Sequence, residues 1–217
     1  MGTVFLPSCK LKRYYAEPSA KLRSYLEQRE HVQTVGCCKQ HWREANPEDD
    51  AIVVCCNCAA ITQESSPMEH IRFAWEVIDQ DPDFPFPDYG GERIAIQDCW
   101  RAYDRRSVQD ALRSIMRKMN IEVVELPENH ENTKFCGTDL LNPCTDIEKE
   151  LAPKRYVEDG GAMYQPASEE EQMHYLQQHC AQIPTERVAC YCTSCLYGIA
   201  RGGKQPVHII ELLFPQN

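Results

Sequence analysis

No run in the 217 residues approaches the roughly 18 consecutive apolar residues of a membrane-spanning helix. The opening MGTVFLPSCKLKRYY lacks a basic segment followed by a long apolar one, so no secretory leader is expected. Leu6 stands where an N-myristoylation signal requires Ser or Thr. Positive charge is also short: the formal net charge is −10, which argues against a nucleic-acid partner. The seven histidines form no metal-ligand spacing. His41 and His208 lie nearest to other motifs and read as groups supporting a site from behind, or as surface groups. These absences give the expectation of a cytoplasmic, reduced protein with no transmembrane segment.

Cysteine, by contrast, is abundant. Thirteen in a 25.0 kDa chain exceed any packing need, and the odd count with the adjacent pairs Cys37/Cys38 and Cys55/Cys56 argues against a complete disulfide framework. Nine of the thirteen fall into two copies of one pattern: a lone Cys after a strand, a central Cys or Cys pair, then Cys-x-x-Cys. The first copy is Cys9, then Cys37 and Cys38, then Cys55 and Cys58. The second is Cys99, then Cys136, then Cys192 and Cys195. Thiolates recurring in this order are metal-ligand candidates.

The hydrophobic pattern places these cysteines. Thr3–Pro7, Val32–Val35 and Ala51–Val54 are short apolar runs that read as strands, the first and last leading to Cys9 and Cys55. A helix is expected from Glu17-Pro18-Ser19, with Leu22, Tyr25 and Leu26 on one face, and another through Ala59 and Ile61. Met68–Ile78 is amphipathic at helical spacing. The Asp-, Pro- and Gly-rich stretch 81–92 reads as a linker, in which Phe84 and Phe86 are expected to dock onto one half. Beyond it the order restarts. Arg93–Gln97 is a strand ending at Cys99, Ser107–Met119 a helix and Ile121–Leu126 a strand. Ala167–Ala181 is a helix with a Ser168-x-x-Glu171 capping box, Arg187–Ala189 a strand, and Val207–Leu213 a strand or strand–helix junction.

The chain is therefore expected to be α/β, with Rossmann-like halves at 1–80 and 93–217 built on parallel sheets. Metal sites are expected at the carboxyl ends of the strands, where open parallel sheets form their sites.

These residues resemble the cysteine-rich CCG domain, found in duplicate in the disulfide-cleaving subunit of heterodisulfide reductase and in related iron–sulfur subunits. Besides the cysteines, the resemblance covers Tyr14/Tyr15-x-Glu17/Pro18, Tyr103-Asp104-Arg105-Arg106, Val124-Glu125-Leu126 before Cys136-Gly137, and Val207-His208-Ile209-x-Glu211-Leu212-Leu213. It implies an iron–sulfur oxidoreductase subunit, transferring electrons in the reduction or formation of a thiol substrate's disulfide. A noncubane-type [4Fe–4S] cluster would sit on Cys9, Cys37, Cys38, Cys55 and Cys58. The second half has Phe135 in place of the pair's first cysteine, which leaves four ligands for a cubane [4Fe–4S] cluster or zinc. Phe135 is also expected to keep water and exogenous thiols from that centre. Lys39 departs from the family's glycine, and the gap from Cys38 to Cys55 is short for the family. No separate ferredoxin-type run of cysteines is present, so a flavin or ferredoxin-like subunit is implied as electron partner.

Zinc and metal-free thiols stay open beside the clusters, because tetrathiolate sites bind zinc well. A non-catalytic electron relay or zinc-stabilised assembly module is the alternative function. Of the four remaining cysteines, Cys180 and Cys190 read as core. Cys56 reads as a neighbour of the first site that does not bind, and Cys144, on the same loop as Phe135, as a minor alternative for the cysteine missing there. Arg105 and Arg106 read as a solvated helix start or as an offset to cluster charge.

Overall fold

A computed structural model describes residues 2–40, 46, 48–68 and 70–215. His41 lies outside the described residues. Two four-stranded, wholly parallel sheets organise the chain. The first contains β1 (Thr3–Leu6), β2 (Gln33–Thr34), β3 (Asp50–Val53) and β4 (Ile71–Phe73), in the order β2-β1-β3-β4. The second contains β5 (Glu92–Gln97), β6 (Ile121–Val124), β7 (Arg187–Cys190) and β8 (Gln205–His208), in the order β6-β5-β7-β8. Counted from the first strand of each, the two orders are the same. The central strands are near-continuous apolar runs because helices cover them, and Phe5, Leu6, Ile52, Val53, Ile94, Ile96, Val188 and Ala189 are all buried.

Nine α-helices connect and flank these strands among the described residues. The first sheet carries α1 (Cys9–Tyr14), α2 (Ala16–Glu30), α3 (Cys56–Ser65) and α4 (Ala74–Gln80). The second carries α5 (Arg106–Lys118), α6 (Asp146–Leu151), α7 (Glu169–Ala181), α8 (Thr193–Arg201) and α9 (Ile209–Leu213). The capping box at Ser168 forms as expected: its Oγ accepts from Glu171 N while Glu171 accepts from Ser168 N. No helix among the described residues is long and apolar enough to cross a membrane.

Residues 68–78 correct the sequence reading. A fourth strand occupies Ile71–Phe73, and only Ala74–Gln80 is helical. The strand's Ile71 falls by coincidence at helical spacing from Trp75 and Ile78. Glu76 closes the junction by accepting from Phe73 N at 2.7 Å, and Glu211 does the same for His208 N at 3.0 Å where β8 meets α9.

The two parts interlock rather than hang from a tether. The helix after the last strand of each sheet packs on the first long helix of the other part, α4 on α5 and α9 on α2. Phe84 is buried where they meet, its ring 5.2 Å from Tyr25 and 5.8 Å from Phe214. His208 is buried there too, between Tyr15 and Trp75, so it is not a surface group. Burial lowers its pKa to about 4 and keeps it neutral at ordinary pH, with Nδ1 accepting from Ile210 N.

Candidate metal centre

Two of the cysteines in each set sit just past a strand's carboxyl end. Cys99 follows β5 by two residues, and Cys192 follows β7 by two residues and starts α8. Cys55 follows β3 in the same way and starts α3, while Cys9 opens α1 after β1. This placement is the one expected of open parallel sheets.

The second set converges. The sulfurs of Cys99, Cys136, Cys192 and Cys195 all lie within 4.8 Å of one another, and all four residues are buried. Cys99 Sγ is 3.6 Å from Cys136 Sγ. Four buried sulfurs in mutual contact can hold a metal ion or cluster. Hydrogen bonds from Cys136 and Cys195 hold Cys192 well below the ordinary thiol range, and burial pushes Cys99 and Cys195 up.

Two glycines permit this convergence. Cys136 comes in on a loop, and Gly137 turns it with φ +58°, the left-handed region that glycine enters without strain. A Cβ at Gly137 would stand 1.9 Å from the Ser194 carbonyl oxygen, and one at Gly198 would stand 2.5 Å from Gly137 Cα. The loop therefore lies directly against α8, which carries Cys195.

A buried network fixes the strand ends. Asp98 accepts from Arg113 Nη2 at 2.7 Å and Nη1 at 3.2 Å, from His130 N at 2.8 Å and from the Tyr191 hydroxyl at 3.2 Å. The Tyr191 oxygen in turn accepts from Cys99 N at 3.1 Å. Tyr191 precedes Cys192, so this one chain of bonds ties the Cys99 and Cys192 loops together. Arg113 is completed by Glu125, which bonds it at 2.7 Å through both oxygens. Arg101 is a residue that sequence reasoning missed. Buried beside Cys136 and Cys192, it pairs with Asp139 at 2.7 Å and places positive charge next to the thiols. Arg105 and Arg106 do not serve this purpose. Arg105 bonds Gln63, and Arg106 bonds Asp110 and Glu131 on the surface.

The first set is more open. Cys9, Cys37, Cys38, Cys55 and Cys58 line one cavity of about 520 Å³ between the two parts of the chain. Cys9 is exposed, Cys37 and Cys55 are half-buried, and Cys38 and Cys58 are buried. The neighbouring Cys58 thiol lowers Cys38 and draws Cys55 down to about 6. Among the described residues, only the second set has its sulfurs mutually within 4.8 Å. The difference has a local cause. Lys39 stands where the second set has Gly137, and it is not among the described residues with left-handed backbone. Ile61 stands three residues after Cys58, where the second set has Gly198. Without either glycine the central loop has no comparable route onto its helix.

The remaining cysteines divide. Cys180 and Cys190 are buried, with their sulfurs nearest to backbone carbonyls, as core residues should be. Cys144 does not replace the cysteine missing at Phe135. It faces the first-set cavity from the opposite wall, beside Tyr164. Phe135 is buried as expected, but its ring stacks on His179 at 4.0 Å and packs over Gly198, turned to the α7–α8 side. Cys56 leaves its own set and adjoins Cys99 and Cys192.

No family model matches the chain, and no characterised protein or solved structure matches it. The CCG-domain resemblance accordingly stands on the residues quoted for it, and the site is read from its own geometry.

Proposed function

We propose that this chain is a thiolate metalloprotein of the iron–sulfur redox type, with two unlike centres. The observation that carries this is the buried Cys99/Cys136/Cys192/Cys195 tetrad next to a second, roomier thiol-lined cavity. Thiolates on a tetrahedral zinc ion at about 2.3 Å stand about 3.8 Å apart, so sulfurs this close favour a single ion in the tetrad. A [4Fe–4S] cube, whose irons and sulfides lie between the thiolates, needs them further apart. The first-set cavity has that room, and five thiols fit the noncubane-type cluster which the CCG resemblance implies.

Bound there, such a cluster supplies one-electron redox chemistry. The protein's own part is to hold the thiols at a cleft that substrate can enter. Arg101, Asp139, Cys144 and Tyr164 face the five cysteines across the cavity. A second cleft of about 620 Å³ between α1 and α8 shares Lys10, Asp139, Thr193 and Ser194 with it, and Tyr14 and Tyr197 flank its mouth. In this reading electrons come from a flavin or ferredoxin-like partner subunit.

The test is metal and acid-labile sulfide content of anaerobically purified protein, with EPR. Iron and sulfide at the first set with one further zinc or iron ion is the expected result; protein with neither iron nor sulfide would end the redox reading. The two centres should also separate genetically. Cys38→Ser should abolish or convert the first centre and leave the second, and Cys136→Ser should do the reverse. Added thiol should perturb the first more than the second, of whose four cysteines Cys192 alone lines the cavity. Two identical spectral signatures would contradict two unlike sites.

A further inference from the structure

Cys56 is the one cysteine of the first half that turns away from its own set. It opens α3 between Cys55 and Cys58, which face the thiol-lined cavity. Cys56 and Cys58 are two residues apart within α3, and at 3.6 residues per turn their side chains point about 200° apart, which carries Cys56 to the other side of the helix. There it is buried, 1% exposed, beside Cys99 and Cys192. It stays outside the group of four sulfurs that are mutually within 4.8 Å.

The position is imposed by packing. Glu64, on α3, accepts from Lys154 N at 2.7 Å and Arg155 N at 3.0 Å, at the start of a π-helical turn of the second part. Asn57 bonds the Tyr156 hydroxyl, and Ser65 bonds the Leu151 carbonyl. The head of α3 also packs against the 3-10 turn Trp100–Ala102, directly after Cys99. These bonds at both ends of α3 leave Cys56 no other neighbourhood.

Four thiolates around a divalent ion carry two surplus negative charges, and a buried site must offset them with donors or cations. Arg101 does so on the Cys136–Cys192 side, although Asp139 shares it. The Cys99–Cys192 edge has Cys56. We propose that Cys56 is a working part of the second centre, a thiol lent by the first half whose S–H donates to the Cys99–Cys192 edge and tunes the metal held there. Cys56 is thus a positioning residue rather than a ligand. Since Cys55 lines the other cavity, one peptide bond joins residues that serve the two sites. The inference rests on the reading that the tetrad binds metal, and the experiment separates the two.

Cobalt(II) is titrated into the reduced, anaerobic 217-residue chain and followed by thiolate-to-cobalt charge-transfer absorption. Subtracting the Cys136→Ser spectrum isolates the second centre. A wild-type protein without a Cys136-sensitive band would overturn the metal reading itself. Given that band, Cys56→Ala should shift its energy and weaken cobalt about 10-fold or more, the usual cost of losing a bond to a ligand. Cys56→Ser, which restores a donor, should recover most of that affinity. Circular dichroism confirms that each variant folds. An alanine variant with the wild-type band and affinity, or a serine variant no better than alanine, would show that Cys56 only fills space and would overturn the inference.

Discussion

Gly137→Ala is expected to cost the protein its second centre and much of its stability. Two separate penalties act at this position. Its φ of +58° lies where an L-residue is strained by about 1–2 kcal/mol. The new methyl would also sit 1.9 Å from the Ser194 carbonyl oxygen, in the helix that carries Cys195. Relief requires the Cys136 loop and α8 to separate, and that movement pulls Cys136 away from Cys192 and Cys195. Overpacking of this kind adds about 1–3 kcal/mol, so the sum is about 2–5 kcal/mol. Urea unfolding followed by circular dichroism should show the midpoint falling with an unchanged slope, and metal analysis should find the second site depleted. Lys39→Gly, which supplies the missing glycine at the matching first-set position, should be tolerated. Near-wild-type stability and metal content for Gly137→Ala would mean that the close approach of loop and helix is not what assembles the tetrad.

Much of this arrangement is legible in the sequence because strand ends and cysteines coincide. The runs around Val4, Ile52, Ile94 and Val188 are short and apolar, and a parallel sheet places the residues just after them at one edge. The Ser168 cap and the Lys39 departure are equally local signals. Three features escape such reading. Ile71 belongs to a strand yet keeps helical register with Trp75 and Ile78, so periodicity alone joined them. The π-helical turn at Lys154–Glu158 and α6 before it lie in a charged stretch without a clear apolar period, and they are held by contacts such as Glu64 with Arg155 N, 91 residues apart in sequence. Cys56 and Cys144 each lie beside the opposite half's cysteines, which the packing of α3 against the second part decides. One missed signal was available: Gly198 and Ile61 stand three residues after their respective Cys-x-x-Cys, and a glycine there lets another backbone approach closely.

Asp98→Ala should be the most damaging single change outside the cysteines. The Asp98 carboxylate is wholly buried, with Arg113 almost equally so. Removing it leaves the guanidinium with Glu125, which is 39% exposed, and the neutral Gln109 carbonyl, and strips the acceptor from His130 N and the Tyr191 hydroxyl. Deleting one partner of a buried ion pair costs about 3–5 kcal/mol, because the remaining charge stays in a poorly solvating interior. The effect reaches the metal site through geometry. Tyr191 Oη holds Cys99 N at 3.1 Å only while Asp98 orients it, so the Cys99 and Cys192 loops lose their shared tie. Asp98→Asn keeps the shape and two acceptor lone pairs and should lose less stability. A double variant, Asp98→Ala with Arg113→Met, removes both charges and should recover part of the single variant's deficit. Thermal unfolding of four proteins, the wild type, Asp98→Ala, Arg113→Met and the double variant, gives the coupling between the pair. Cobalt affinity measured on the folded variants should follow Asp98 rather than Arg113, since Asp98 alone touches the Tyr191 hydroxyl that holds Cys99. Equal metal affinity in all four would confine Asp98 to stability and leave the Cys99 loop held by its other bonds.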